Sequence, residues 1–334
     1  MVAPCFRAVR LLPALLILVV FSGSCPGAAP AIPPVTSVRV TILSTMLVGG
    51  AGNGEIGEWG FSALVEADGR KILFDTGFRP QTVLHNAAVL GIDLSAVTDV
   101  VLSHNHGDHT GGLLTLRREF AQKNPAALSR VHVGRGIFWG RGTDKKGEPH
   151  NPMPARKPAY EATGGAFIEH GGPAEIAPGI WLTGPIARPH PERNFGVAPG
   201  TRVEAPDGAR DDTIPEDCAL VLDTARGLVV ITGCGHAGVV NTLTAARQLV
   251  RPTSVHALIG GIHLLTSDEK ALTWTAGKFR EFGVAHLFAA HCTGLEATYR
   301  LRTLAGLARE TAVVAAVGAN FDLTRGIDAL ILAR

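Results

Sequence analysis

The pattern of apolar and polar positions predicts short strands and helices that alternate along most of the chain. Two strand-like segments, 61–66 and 71–74, about the Asp68-Gly69 turn predict a hairpin. The continuous apolar run 99–102 predicts a strand that is buried on both faces. Such a mixture favours layers in which helices cover sheets. The predicted strands are 38–43, 61–66, 71–74, 99–102, 130–133, 218–222, 228–232, 255–259, 286–288 and 312–317; the predicted helices are 80–90, 112–122, 239–250, 268–282 and 295–309.

Residues 134–215 break this pattern because they are rich in Gly and Pro and contain only short apolar pieces. An irregular segment of this length inside a compact domain is unusual and generally has a function. We therefore predict an insertion that covers a site and is not a separate domain.

The first residues have the order of a secretory signal peptide. Arg7 and Arg10 precede the apolar run 11–21, and small residues and prolines follow at 22–33. The apolar run is too short to span a bilayer. We predict a leader over 1–31 and an exported mature protein, periplasmic or secreted, with no stable membrane span. Cys25 leaves a lipoprotein or an uncleaved anchor as the alternative.

Composition excludes several classes of protein. The chain has 334 residues, 46% of them hydrophobic, and a formal net charge of +2. These values indicate one folded domain and give no basic footprint for nucleic acid. Three cysteines follow the leader, an odd number that disfavours a disulfide framework and leaves a single disulfide open. They are Cys218, Cys234 and Cys292. The excess is in histidine, with 13 residues against 2 tyrosines.

The histidines are densest directly after the buried strand 99–102, in the sequence Ser-His-Asn-His-Gly-Asp-His at 103–109. Imidazole and carboxylate groups are ligands of zinc and iron. In an extended turn His104 and His106 point the same way. Asp108 and His109 are adjacent and must diverge, which suits two neighbouring metal ions. A solvated polar loop is the alternative, and the buried strand before it argues against that.

This motif, together with Phe74-Asp75-Thr76-Gly77, resembles the metallo-β-lactamase superfamily. The resemblance implies an α+β fold, a four-layer αββα sandwich, over residues 36–322, with a C-terminal tail at 323–334. Three later motifs are similar to the branch of dihydropterin-linked (7,8-dihydropterin-6-yl-methyl-aminobenzene-phosphate) synthase-like proteins. They are Gly233-Cys234-Gly235-His236, Gly260-Gly261-Ile262-His263 and His291-Cys292-Thr293-Gly294.

The resemblance also implies a metal site with Zn²⁺, two ions being expected and Fe or Mn being the alternatives. Asp75 is expected to support the ligand loop through hydrogen bonds. The implied ligands are His104 and His106 for the first metal, Asp108 and His109 for the second, and His291 as the last ligand.

The middle of the family pattern is altered, so the remaining ligands stay open among Asp217, Cys234 and His236. Asp217 stands where the family has a histidine, and Cys234 is near the position of the bridging aspartate. His263 is a candidate ligand or proton donor. The other histidines lack partner spacing and are expected to be surface or structural: His85, His132, His150, His170, His190, His256 and His286.

The predicted function is metal-dependent hydrolysis of a small ester, lactone or phosphoester by a metal-activated water. Asp108 would orient the water and His263 would protonate the leaving group. A pterin-linked condensing synthase and a non-catalytic metal-binding or ligand-sensing protein are the alternatives. The altered motif disfavours β-lactam hydrolysis, and export with weak net charge disfavours tRNA processing. A basic cluster could meet an anionic substrate or simply be solvated: Arg135, Arg141, Lys145 and Lys146.

Overall fold

The computed structural model describes residues 1–2, 33–50, 54–143, 145–192, 194 and 196–331. The chain divides into two units, Met1–Ile32 and Pro33–Arg334, and the elements given below all belong to the second. The apolar run of the predicted leader, its cleavage site and Cys25 lie outside the described residues. Among the residues that are described, no helix combines the length and the apolar character needed to cross a membrane.

The described residues form strands and helices with the following bounds. The strands are β1 (Val38–Ser44), β2 (Ser62–Ala67), β3 (Arg70–Phe74), β4 (Asp99–Leu102), β5 (Arg130–Gly134), β6 (Ala166–His170), β7 (Ala174–Ala177), β8 (Ile180–Leu182), β9 (Arg202–Ala205), β10 (Gly208–Asp211), β11 (Leu220–Thr224), β12 (Gly227–Thr232), β13 (Val255–Gly260), β14 (His286–Ala289), β15 (Ala312–Val314), β16 (Asn320–Asp322) and β17 (Gly326–Asp328). The helices are α1 (Thr82–Val89), α2 (Gly107–Thr110), α3 (Leu113–Ala121), α4 (Met153–Glu161), α5 (Val239–Leu249), α6 (Glu269–Glu281) and α7 (Leu295–Ala305).

Two large mixed sheets make up the centre of the fold. The first has the strand order β17-β16-β1-β2-β3-β4-β5-β6, and the second has the order β15-β14-β13-β12-β11-β8-β7. The β2–β3 hairpin turns at Asp68 and Gly69, both with positive φ. The strands β3 to β6 are parallel, as are β12 to β15, so that several loops leave each sheet at one edge.

Three apolar cores hold the layers together. The middle core joins the facing sides of the two sheets, for example through Phe74, Ile231 and Phe288. A second core packs α5, α6 and α7 on the outer face of the second sheet, and a third packs α1, α3 and α4 on the first sheet. The predicted four-layer αββα sandwich is therefore confirmed. Continuous apolar strands and one-sided helices are consistent with this arrangement, in which each sheet is covered on both faces.

The expectation of an irregular segment over residues 134–215 is wrong. The segment contains α4 and the strands β6 to β10, and it extends the edges of both sheets. Its strands have only 3 to 5 residues, too few to show a clear hydrophobic period. Two of them join the large sheets by backbone pairing, β6 with β5 and β8 with β11. The tail predicted from residue 323 likewise contains β17, which pairs with β16.

Candidate metal centre

The predicted ligand loop is held in place by Asp75, which follows β3. One carboxylate oxygen of Asp75 accepts from the backbone N–H of Ser103 at 2.8 Å, and the other accepts from the Ser103 hydroxyl at 2.8 Å. The second oxygen also accepts from Nδ1 of His109 at 2.7 Å. Asp75 is completely buried and has a φ of 55°. A single carboxylate thus joins the start and the end of the loop 103–109.

The first group of ligand atoms belongs to His104, His106 and His236, and these atoms lie within 4.8 Å of one another. The Ser103 hydroxyl donates to Asp75, so it accepts from Nδ1 of His104 at 2.9 Å. Nδ1 of His236 donates to the backbone carbonyl of Asn194. The Nε2 atoms of His104 and His236 therefore both carry lone pairs, and they face each other at 3.2 Å.

The second group belongs to Asp108, His109 and His291, again within 4.8 Å. One Asp108 oxygen lies 3.3 Å from Nε2 of His291, and the other lies 3.9 Å from Nε2 of His109. Neither ring nitrogen of His291 makes a hydrogen bond, although the side chain is buried. The Trp59 ring covers His291 with ring centroids 4.9 Å apart.

The protonation of the cluster follows from burial and from mutual repulsion. Burial and neighbouring imidazoles hold the pKa of His104 and of His236 well below the usual histidine value. Burial likewise lowers the pKa of His106 to about 4. For His109, burial acts downward but Asp108 and Asp75 outweigh it and raise the pKa to about 9. The histidines of the first group are neutral at pH 7, as metal ligands must be.

Cys234 lies between the two groups. Its Sγ is 3.1 Å from Nε2 of His109, and it also forms a group of close ligand atoms with His104 and His109. His263, in a strained backbone conformation with a φ of 49°, forms a further group with Cys234 and His236. Its Nδ1 is buried without a hydrogen bond. The last of the three motifs, His291-Cys292-Thr293-Gly294, contributes Cys292, which is grouped with Cys234 and His291.

A cavity of about 380 Å³ opens beside these groups. His106 and Asp108 line it, one from each group, together with the half-exposed rings of Trp59 and Phe78. Asn105 also lines it and is fully buried, and neither atom of its amide makes a hydrogen bond. The lining of the cavity therefore combines an apolar wall, Trp59 and Phe78, with the amide of Asn105, which has no hydrogen-bond partner among the described residues.

Comparison with known proteins identifies the family of the chain. The model of the metallo-beta-lactamase superfamily matches residues 60–249, more than half of the chain. The chain belongs to the metallo-β-lactamase superfamily. The expected family and its fold are therefore confirmed.

Individual relatives agree with this assignment. The chain is 28% identical over 249 residues to the 7,8-dihydropterin-6-methyl-4-(beta-D-ribofuranosyl)-aminobenzene-5'-phosphate synthase of Methanocaldococcus jannaschii, an alignment that covers 71% of this chain and 82% of the relative. The solved structure of Tm1679, described as a metal-dependent hydrolase of the β-lactamase superfamily, is 28% identical with a TM-score of 0.64, over 85% of this chain and 98% of that one. Zinc-bound PqqB from Methylobacterium extorquens shares the fold at 16% identity, with a TM-score of 0.50 over 85% and 100% of the two chains.

The superfamily fold implies divalent metal ions, and the side chains of this chain fit them. Two neutral imidazole nitrogens facing each other at 3.2 Å repel unless a cation lies at their lone pairs. The two ring nitrogens of His291 are buried without a hydrogen bond, a costly state that a ligand would relieve. Both observations indicate a cation in each group.

Of the residues predicted for the site, Asp217 is not brought into the cluster. Within the described part of the chain it belongs to none of the groups of close ligand atoms. One of its oxygens accepts from the backbone N–H of Ala237 at 2.7 Å, and the other is buried without a partner. The remaining predicted ligands do converge: His104, His106, Asp108, His109, Cys234, His236 and His291.

Of the predicted basic cluster, Arg141 is engaged within the protein. Arg141 is buried and forms ion pairs with Asp212 and Glu216 instead of facing solvent. Among the other histidines, His150 lines the cavity. The rest make local contacts away from it, such as His132, which lies between Asp99 and His170.

Sequence reasoning missed the residues that build the wall of the cavity. Glu58 is buried and accepts from the backbone N–H groups of Phe78 and Arg79 at 2.9 Å and from the Ser44 hydroxyl at 2.8 Å. It thereby fixes the loop that carries Phe78, and its neighbour is Trp59. An acidic residue and a tryptophan between Gly57 and Gly60 were the available signal, since a carboxylate in such a turn needs donors.

Proposed function

We propose that this protein is an exported metal-dependent hydrolase that acts on a small ester or lactone, with phosphoesters as the other substrate class. The observation that carries the proposal is the cavity that opens on both ligand groups at once, on His106 from the first and on Asp108 from the second. A molecule bound in the cavity would therefore lie beside both ligand groups. The name of the relative Tm1679, a metal-dependent hydrolase, supports the same reaction class.

The chain's own residues then have distinct roles. His104, His106 and His236 would hold one ion, and Asp108, His109 and His291 would hold another. Divalent ions bound there supply a water of lowered pKa and polarise a carbonyl or phosphoryl oxygen. Asp108 borders the cavity and can orient an attacking water through its carboxylate.

His263 is suited to donate a proton to the leaving group of the substrate. Burial lowers its pKa, but interaction with Cys292 outweighs burial and raises the pKa above the usual histidine value. A protonated imidazole is then available near neutral pH. Its ring centroid lies 4.8 Å from that of His236, at the border of the first group.

The lining of the cavity favours a neutral substrate over a highly charged one. The described residues that line the cavity include one arginine, Arg141, and no lysine. Asp212 and Glu216 offset the charge of Arg141. Trp59 and Phe78 offer apolar surface at the mouth. An ester or lactone with an apolar portion matches this lining better than a phosphoester does.

A condensing synthase is the second candidate. The Methanocaldococcus jannaschii relative that aligns with 71% of this chain bears a synthase name. The leader predicted from residues 1–31 argues for export, and a pterin step in the cytosol is at odds with it.

The test uses the mature chain loaded with zinc and a panel of neutral esters, lactones, phosphodiesters and lactams. We expect turnover of a member of the first two classes, and loss of turnover and bound metal in His106→Ala and Asp108→Ala. His85→Ala is the matched control, because His85 is an exposed histidine outside the described ligand groups and its ring contacts the Gly54 carbonyl.

Three results would contradict the hydrolase proposal. Full activity in a metal-free preparation would show that the reaction does not require a metal ion. Condensation of a dihydropterin donor with an aminobenzene phosphate, detected by mass spectrometry without hydrolysis of the panel, would favour the synthase. A fully metal-loaded protein inert in both assays would favour a binding or sensing role.

A further inference from the structure

The thiol of Cys234 occupies a position that no other residue of the described cluster shares. Its Sγ lies within 4.8 Å of ligand atoms of His104 and His236 in the first group. It lies within the same distance of ligand atoms of His109 and His291 in the second group. Of the described ligand groups, only Cys234 joins two members of one to two members of the other.

Two glycines, Gly233 in the loop after β12 and Gly261 in the loop after β13, allow the backbone approaches that bring the thiol this close. A Cβ at Gly233 would lie 2.0 Å from the Ser103 hydroxyl and 2.5 Å from an Asp75 oxygen. A Cβ at Gly261 would lie 2.2 Å from the Gly233 carbonyl oxygen and 2.9 Å from Sγ of Cys292. The loop therefore packs directly on the carboxylate that supports the metal ligands, and it does so only with glycine at these positions.

The charge of the cluster calls for a second anion. The two groups together contain five imidazoles and a single carboxylate, that of Asp108. Two divalent cations would bring four positive charges into a buried site whose carboxylates are Asp108 among the ligands and Asp75 behind His109, and this excess of positive charge is costly in low dielectric. Asp217 does not supply the missing anion, because it lies outside the groups of close ligand atoms among the described residues.

We propose that the Cys234 thiolate is a ligand common to both ions, in the place where a carboxylate would otherwise join them. On metal binding the thiol gives its proton to solvent, and the sulfur holds both ions from between the groups. Thiolate is a softer ligand than carboxylate, so the centre should prefer zinc and cobalt over manganese or magnesium. The proposal concerns ligation and holds whichever reaction the enzyme catalyses.

Cobalt(II) tests the proposal because a thiolate ligand gives an intense charge-transfer absorption in the near ultraviolet. Metal-free full-length protein is titrated with Co²⁺, and absorbance and bound metal are recorded together. We expect the band in the wild type and its loss in Cys234→Ser. Cys218→Ser is the matched control, because Cys218 is an equally buried free thiol that faces the backbone carbonyls of Leu102 and Ser103.

Two single-site variants decide whether the thiolate is shared. His236→Ala removes a ligand of the first group only, and His291→Ala removes a ligand of the second group only. A shared thiolate gives the band in both variants, each with one equivalent of cobalt. A band in only one of them would make Cys234 a ligand of a single ion and overturn the proposal.

Cys234→Asp separates ligation from a structural effect. We expect this variant to bind both equivalents without the charge-transfer band, and Cys234→Ser to bind cobalt at least about tenfold more weakly. Retention of the band in Cys234→Ser, or its loss in Cys292→Ser with Cys234 intact, would assign the sulfur ligand elsewhere and overturn the proposal.

Discussion

Oδ2 of Asp75 lies 2.7 Å from Nδ1 of His109, and both side chains are completely inaccessible to solvent. This contact turns Nε2 of His109 toward Cys234 and the second ligand group. Asp75 is not in any of the described ligand groups, so its effect on metal binding passes through His109 and Ser103.

Asp75→Asn is therefore expected to weaken metal binding by about 10- to 100-fold, as losses of such supporting carboxylates do. Competition with a chromogenic chelator measures this affinity. Asp93→Asn is the control, because Asp93 is an exposed aspartate whose contacts, with Ser95 and Lys123, lie at the surface. Unchanged affinity in Asp75→Asn would show that the loop keeps its geometry without the carboxylate.

Gly196 is packed against the first ligand group. A Cβ there would lie 2.5 Å from Cε1 of His236 and 3.1 Å from Cε1 of His263. We expect Gly196→Ala to displace His236 and to lower the bound metal by about one equivalent, measured by elemental analysis. Gly200→Ala is a close control, since Gly200 also has a positive φ but nothing within 4 Å of its Cβ position. Equal metal loss in both variants would point to backbone strain in place of the clash.

The buried ion pairs of Arg141 stabilise the wall of the cavity. Arg141→Met leaves the carboxylates of Asp212 and Glu216 buried without their cation. Breaking such a pair by removal of one partner costs about 3–5 kcal/mol. Urea denaturation should show this loss, while Arg118→Met, on an exposed helix position, should change the free energy of unfolding by less than about 0.5 kcal/mol. A small loss in Arg141→Met would mean that water reaches the carboxylates.

Asp217 makes stability depend on pH. Burial raises its pKa to about 7, so the folded protein keeps a proton that the unfolded chain releases above about pH 4. The contribution of this group to stability is therefore complete below about pH 4 and is lost as the pH rises through 7. We expect Asp217→Asn, which stays neutral, to gain stability relative to the wild type between pH 5 and pH 8.

The measurement is the free energy of unfolding of both proteins across that range, with the exposed Asp207→Asn as the control. Asp217→Asn should also keep its full metal content, since Asp217 lies outside the described ligand groups. A loss of metal would return Asp217 to the ligand set.

Local pattern was enough to predict most of the strands and helices, whereas the four-layer arrangement was implied by the family resemblance. Asp99–Leu102 is visible as a continuous apolar run and Val239–Leu249 as a helical period. The strands β6 to β8 are too short to show a hydrophobic pattern of their own. They are stabilised by pairing within the sheets, β6 with β5 and β8 with β11. A sequence read one segment at a time does not contain those neighbours.

The same limit applies to the site. The residues 104–109 are adjacent in sequence, so their convergence was predictable from one loop. His291 was implied by the family resemblance, and His236 was one of the candidates that the altered middle motif left open. The choice between Asp217 and Cys234 was not predictable, because it depends on how the loop 233–235 packs against Asp75, which glycines at contact distance determine.

The segment 134–215 supplies much of the cavity wall, whereas the ligands come from loops that follow β4, β12 and β14. Its ties to His236 are the backbone carbonyl of Asn194, the guanidinium of Arg188, which donates to the His236 carbonyl at 2.6 Å, and the requirement for glycine at 196. Most of the cavity wall and the ligand groups are thus encoded on different stretches of the gene. Evolution can rewrite the wall while the metal centre is inherited intact.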